Sequence, residues 1–187
     1  MKKLQKNFLL EKYGLRVRLV NEDDAGFILS LRTDPNRTKY MLKLDDEIES
    51  QKKWIREYKK REEEGLDYYF IYSDGEGKSI GLNRVSHIDS NAKTVKVSSW
   101  IAIEGLKYEP LKMILLGNEI VFNFIESGST WGELHKNNSS AFKILKLFGY
   151  KLKDDGTEYY RSSLIQSDFL DACENSNIIR RIKGNNK

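Results

Sequence analysis

Apolar residues recur along the chain at strand-like and helix-like spacings, which divide it into alternating elements. Residues 15–20 (LRVRLV) alternate between apolar and polar positions, as a half-buried strand does. Asn21 can then cap a helix in which Phe27, Ile28 and Leu31 share one face. The first part of the chain is therefore predicted to be a strand followed by a helix.

A second helix is predicted to begin at a capping box formed by Asp46 and Glu49 and to end at Gly65. Between the two helices, Pro35 disfavours helical geometry at Asp34, so a loop is expected from residue 34 to residue 44. The second helix has an apolar stripe: Ile48, Trp54, Ile55 and Tyr58.

Three strand patterns follow, at residues 68–73, 79–86 and 93–102. They are separated by Asp74-Gly75-Glu76-Gly77 and Asp89-Ser90-Asn91, which are typical turn sequences. An antiparallel meander is therefore expected in the middle of the chain.

The second half is predicted to form helix, strand, helix and strand. Pro110 suits the first turn of a helix that ends before Gly128, and Gly149 suits the end of the later one. The other predicted elements are a strand at 130–134, a helix at 139–148 and a strand at 159–165. Residues 1–13 are interpreted as an N-terminal extension, 14–170 as one domain, and 171–187 as a polar, mobile tail.

Composition limits the class of protein. A chain of 187 residues suits one domain, and 39% apolar with 32% charged residues is sufficient for a core. The sequence contains no apolar run of the roughly 18 residues needed to cross a membrane, and a secretory signal is not expected. The lone Cys173 fits a cytoplasmic location and excludes an internal disulfide, and with only two histidines no metal site is expected. The net charge of +4 is spread among mixed charges, which argues against a nucleic-acid partner and mildly favours anionic ligands.

One segment carries a more specific resemblance. Asn138, Ala141, Gly149 and Tyr150 resemble the Asn…Ala…Gly-Phe pattern of the GNAT N-acetyltransferase family in residue type and spacing. With the element order, the resemblance covers residues 14–165 and is nearest to the amino-sugar and ribosomal-protein acetyltransferase branch. It implies an α/β (α+β) fold with a mixed, mostly antiparallel sheet of about six or seven strands, flanked by four helices.

The resemblance also implies a cofactor, acetyl-CoA, whose pantetheine arm would lie between a splayed fourth and fifth strand, here 93–103 and 130–134. Asn138 would bond the pantetheine arm or cap the following helix. The phosphate loop departs from the family because it has one glycine, so Lys107 and Lys112 are expected to supply charge. The expected cofactor-binding residues are Trp100, Ile101, Ala102, Lys107, Lys112, Asn137, Asn138 and Ala141.

For catalysis, Glu133 and His87 are the candidate bases, followed by His135. Leu145 stands where many relatives have a tyrosine acid, so another group or water must protonate the thiolate. Acceptor contacts are expected from Arg37, Tyr40, Asn83 and Arg84. These residues suit a primary amine on a small molecule, with a nucleotide-linked amino sugar first. A ribosomal-protein α-amine, an antibiotic amine, a non-catalytic CoA- or partner-binding module and a homodimer remain open.

Overall fold

One eight-stranded sheet organises the protein. The structure, a computed structural model, describes residues 1–41 and 47–184. The sheet order is β1-β2-β3-β4-β5-β6-β8-β7, and all neighbours are antiparallel except the parallel pair β5 and β6. The strands are β1 (Leu9–Lys12), β2 (Leu15–Leu19), β3 (Tyr68–Ser73), β4 (Ser79–Asp89), β5 (Thr94–Ala102), β6 (Ser129–His135), β7 (Lys151–Asp154) and β8 (Tyr159–Ile165).

Helices cover both faces of the sheet. They are α1 (Ala25–Arg32), α2 (Ile48–Glu64), α3 (Glu109–Glu119), α4 (Ser139–Leu147), α5 (Gln166–Asn175) and α6 (Asn177–Gly184). Short segments of other helical type precede α1 at Glu22–Asp24 and extend α3 at Ile120–Phe124. The α1 and α2 helices pack on one face, and α3 to α6 pack on the other.

The strand pattern of β3 explains why the protein has two cores. Its side chains alternate, with Tyr68, Phe70 and Tyr72 in the core beneath α3 and with Tyr69 and Ile71 in the core beneath α1 and α2. All five are buried, because both faces of this central strand are covered.

Most predicted elements are confirmed with small boundary shifts. The α/β sheet fold is confirmed, with eight strands rather than six or seven and, among the described residues, six α-helices rather than four. Asn21 does cap the first helical segment, since its side chain accepts a hydrogen bond from the Asp23 backbone at 2.9 Å. The predicted capping box at Asp46 lies outside the described residues.

Both ends of the chain differ from their interpretation as an extension and a tail. Within residues 1–13, β1 forms an edge strand, and Leu4 and Tyr13 are buried. Residues 171–184 lie in α5 and α6, where Cys173, Ile179 and Ile182 are buried against the sheet. This segment was interpreted as a polar tail because it has few apolar residues. Those few become buried only when the rest of the domain packs against them.

Candidate functional site

The parallel pair β5 and β6 separates into a V. The two strands pair only at Thr94↔Ser129, Val95↔Thr130 and Lys96↔Trp131, and they pair no further toward Ala102 and His135. Gly132 lies at the closed end of the V, where a Cβ atom would stand 2.8 Å from the Val97 carbonyl oxygen. The absence of a side chain at Gly132 therefore lets the strands approach closely before they diverge.

A β-bulge in β5 accompanies the separation. Leu82 pairs with Ile101 and Arg84 with Ser98, so Ser99 and Trp100 together oppose Asn83. Ser99 has a left-handed φ of 56°, and its hydroxyl accepts a hydrogen bond from Arg32 at 3.3 Å. The bulge turns the second half of β5 away from β6, and the predicted splayed strand pair is thus present.

A cleft of about 1230 Å³ passes through the V from one face of the sheet to the other. On the α1 and α2 face it is bordered by Trp54, Arg84 and Glu133, and on the other face by Ile114 and Ala141. Eleven of the predicted site residues line it: Arg37, Tyr40, Arg84, His87, Trp100, Ile101, Ala102, Glu133, His135, Asn138 and Ala141.

Asn83 is not on the cleft wall, because alternation along β4 turns it to the opposite face from Arg84. It is fully buried beneath α3, where its Oδ1 accepts a hydrogen bond from the Tyr72 hydroxyl at 2.8 Å. Asn83 therefore has no direct route to an acceptor from this position.

The turn between β6 and α4 places the two predicted asparagines differently. Asn138 Oδ1 caps α4 by accepting a hydrogen bond from the Ala141 backbone at 3.1 Å, while the residue also lines the cleft. Asn137 does not line the cleft, and its carbonyl accepts a hydrogen bond from Tyr40 at 3.1 Å. The Tyr40 ring stacks on His135 at 4.6 Å, so the segment after α1 is joined to the open end of β6.

Arg84 is fixed from two sides. The buried carboxylate of Asp67 accepts hydrogen bonds from Arg84 Nε at 2.9 Å and from its Nη2, and from Arg61 Nε at 3.1 Å. The Arg84 guanidinium also lies over the Trp54 ring, 5.3 Å from its centroid. Its pKa is raised, chiefly by the hydrogen bonds to Asp67 and against the opposing effect of burial. A rigid, permanently charged guanidinium thus borders the acceptor face of the cleft.

The two candidate bases both reach the cleft from that face. Glu133 Oε2 lies 2.6 Å from Lys96 Nζ, and the Glu133 side chain is half exposed. His87 occupies a second bulge of β4 with a φ of 49°, and its Nδ1 lies 3.1 Å from Ser86 Oγ. Lys96 was not among the predicted site residues; it lines the cleft on the same face of β5 as Ser98, two residues further along the strand.

The loop before α3 is bonded by the first residue of the helix, Glu109. Glu109 Oε2 accepts hydrogen bonds from the backbone amides of Lys107 and Tyr108, each at 3.1 Å, and Oε1 lies 3.5 Å from Lys112 Nζ. Burial raises the pKa of Glu109, but hydrogen bonds from three backbone amides outweigh it and leave the pKa lowered. Neither Lys107 nor Lys112 lines the cleft, and Lys107 lies over the Tyr108 ring. The backbone amides of this loop therefore already hold an anion.

Positive charge dominates the cleft. Among its lining residues that the structure describes, five are cationic and one, Glu133, is acidic. The cationic residues are Arg32, Arg37, Lys39, Arg84 and Lys96. Over residues 1–41 and 47–184, no helix is long and apolar enough to span a bilayer, and no group of three metal-ligating side chains occurs.

Comparison with known proteins supports the same architecture. Neither protein-family models nor curated protein sequences gave a match. Among solved structures, the chain is similar to apo FdhC, described as a nucleotide-linked sugar GNAT, with 29% identity and a TM-score of 0.82 over 95% of this chain and 98% of that one.

Two more distant solved structures share the fold. A ribosomal-protein-S5-alanine acetyltransferase from Vibrio fischeri has 17% identity and a TM-score of 0.71, over 87% of this chain and 99% of that one. A spermidine N-acetyltransferase from Vibrio cholerae, in complex with CoA and spermine, has 16% identity and a TM-score of 0.73, over 84% and 98%. The chain therefore has the fold of the GNAT acetyltransferases, and its similarity to FdhC supports placing it in that family.

Proposed function

We propose that the protein transfers an acetyl group from acetyl-CoA to a primary amine on an anionic small molecule, with a nucleotide-linked amino sugar as the first choice. The observation that carries the acceptor assignment is the excess of cationic residues along the cleft, five against one among the described lining residues. Phosphate groups pair with such a surface, and arginine in particular binds them in a bidentate manner. The similarity to FdhC at 29% identity supports the same choice.

The cofactor is proposed to enter the V from the α3 and α4 face. Its pantetheine arm would lie along Ile101 and Ala102 on one side and beside Asn138 and Ala141 on the other, where the strands no longer pair. The thioester would then meet the acceptor amine near the closed end of the V, at Gly132. Positioning of the two reactants can by itself contribute an effective molarity of about 10⁵ M or more.

Glu133 is our first candidate for the base and His87 the second. Both line the α1 and α2 face, so either could take the proton of an amine that approaches from that side. Glu133 lies one residue after Gly132, just past the last paired position, Lys96↔Trp131. The carboxylate is held by Lys96, which fixes its direction.

The other acceptors fit less well. A polyamine such as the one bound in the Vibrio cholerae structure is a polycation. It would be opposed by the net positive charge of the described lining residues, among which Arg84 and Lys96 are already paired with Asp67 and Glu133. A protein α-amine could enter the open cleft, and a module that binds CoA without turnover would need no acceptor.

Thiol release from acetyl-CoA separates these functions. We expect kcat/KM for a nucleotide-linked amino sugar to exceed that for the same free amino sugar at least about tenfold, because one charge-assisted hydrogen bond contributes about 1.5–3 kcal/mol. Spermidine and a peptide with an N-terminal alanine serve as rival acceptors. Faster turnover of either rival would contradict the proposed acceptor. CoA binding without acetylation of any amine would favour the non-catalytic module.

The Glu109 carboxylate is expected to compete with the CoA pyrophosphate for the backbone amides at the start of α3. Glu109→Gln should lower the Kd for CoA about two- to tenfold, because the variant no longer places a negative charge where the pyrophosphate would bind. The interaction of an anion with a helix start contributes about 0.3–1 kcal/mol, and somewhat more when it is partly buried. Glu104→Gln is a matched control, since Glu104 is in the same loop but pairs with Arg37 at 3.4 Å. Calorimetry that gives equal Kd values for both variants and the parent protein would show that the carboxylate does not compete.

A further inference from the structure

Tyr150 lies on the same wall of the cleft as Leu145. The chain turns sharply after α4 at Gly149, which has a φ of 86°, and the Tyr150 backbone amide donates to the Leu145 carbonyl at 3.1 Å. Both side chains line the cleft on the α3 and α4 face. Leu145 has no exchangeable proton, whereas Tyr150 carries a phenol.

The phenol lies near the closed end of the V. Its hydroxyl donates to Asn118 Oδ1 of α3 at 2.8 Å, and the Thr130 side chain is beside it. Thr130 pairs with Val95, next to the last pair that joins β5 and β6. It lies two residues before Gly132, on the same face of β6. The Tyr150 side chain is therefore placed where the strands begin to separate.

The surroundings keep the phenol protonated and can also accommodate its anion. Burial raises the pKa of Tyr150 to about 12, and the Thr130 and Asn118 side chains act in the opposite direction. Asn118 Nδ2 and Thr130 Oγ1 are buried and make no hydrogen bond within residues 1–41 and 47–184. Rotation of the Asn118 amide would turn a donor toward a phenolate, and the Thr130 hydroxyl could do the same.

We propose that Tyr150 is the acid that protonates the departing thiolate, an inference that rests on the acetyl transfer proposed above. The amine nitrogen forms the new bond to the thioester carbon, and the carbon–sulfur bond breaks. The sulfur takes the Tyr150 proton, while the acceptor nitrogen gives a proton to the proposed base on the opposite face of the sheet, Glu133 first and His87 second. The phenolate then regains a proton from solvent. Ser140 and Ser162 also line this region, but an alcohol is a much weaker acid than a phenol.

Tyr150→Phe tests the role, with Tyr72→Phe as a matched control. Tyr72 is also buried and donates to an asparagine, Asn83 Oδ1, at the same distance of 2.8 Å, but it does not line the cleft. Both variants lose one buried tyrosine–asparagine hydrogen bond, so we expect similar decreases in Tm. Only Tyr150→Phe should lower kcat, by about 10²-fold, because general acid catalysis contributes about 10²–10⁴-fold. Its KM for acetyl-CoA should stay within about twofold of the parent value.

A second variant tests the location of the proton donor. Adding Leu145→Tyr to Tyr150→Phe returns a phenol to the same wall, and we expect part of the lost kcat to be recovered. A Tyr150→Phe protein as fast as Tyr72→Phe would overturn the proposal, as would a double variant that binds acetyl-CoA normally but recovers nothing. Either result requires an active parent protein, so it differs from failure of the proposed function, in which the parent itself acetylates no amine.

Discussion

Asp67→Ala is expected to lower the free energy of unfolding by about 3 kcal/mol. Its carboxylate is 2% exposed and accepts hydrogen bonds from both Arg61 and Arg84. Removing one partner of a buried ion pair costs about 3–5 kcal/mol. We expect the low end of that range, since both arginine side chains are about one third exposed and solvent can partly compensate them.

The same change should weaken acceptor binding. Without Asp67, the Arg84 guanidinium loses its hydrogen bonds to a carboxylate and keeps its contact with the Trp54 ring, so KM for an anionic acceptor should rise while KM for acetyl-CoA stays near the parent value. Glu63→Ala is the control, because Glu63 pairs with Lys6 in an exposed ion pair at 3.0 Å. Such a pair contributes about 0–1 kcal/mol. Urea unfolding that places Asp67→Ala no lower than Glu63→Ala would refute the structural role of Asp67.

Glu133→Gln is expected to lower kcat about 10²-fold at pH 6 to 7, which corresponds to about 2.7 kcal/mol. Glutamine keeps the size and hydrogen bonding of the side chain but cannot take a proton. The loss should shrink toward pH 9, because a larger fraction of the acceptor amine is then neutral without help from a base. Rates measured from pH 6 to pH 9 test this.

Two controls separate the base from its neighbours. Lys96→Gln breaks the same 2.6 Å ion pair but leaves the carboxylate, so kcat should fall much less than in Glu133→Gln, through lost orientation of the base alone. His87→Gln tests the rival base directly. An equal loss for Glu133→Gln and Lys96→Gln would mean that the ion pair is structural, and a pH-dependent loss in His87→Gln alone would assign the base to His87.

The order of the central elements followed from local sequence patterns. Alternation in residues 68–73, 79–86 and 93–102, with turn sequences between them, predicted β3, β4 and β5. Gly65 and Gly149 marked helix ends and have φ values of 78° and 86°, which favour glycine. These signals are local, so a single sequence is enough to reveal them.

Site residues could be predicted where the position of a residue in a strand determines which face of the sheet its side chain is on. Glu133 and Arg84 line the cleft as expected, whereas Asn83 was assigned to the wrong face of β4. The error arose because neighbouring residues in a strand point to opposite faces, so Asn83 and Arg84 cannot both line the same wall.

Other parts of the site depend on residues that are distant in sequence. The Ser99 bulge exists only as a mismatch between two paired strands, and the hydrogen bonds from backbone amides to Glu109 require a folded loop before α3. Tyr150 reaches Asn118 across 32 positions of sequence. No local pattern specifies such contacts.

The sequence by itself therefore determined the order of the central strands and helices and the family resemblance, but not β1, β7, α5 or α6. The tertiary structure decided which of those residues meet. In the folded protein Tyr150 lies beside Leu145, and Asn83 is buried in the core. The apolar residues of α5 and α6 pack in the core on one face of the sheet. The physical reason is that local patterns fix backbone conformation, whereas contacts and burial are fixed only when distant segments pack together.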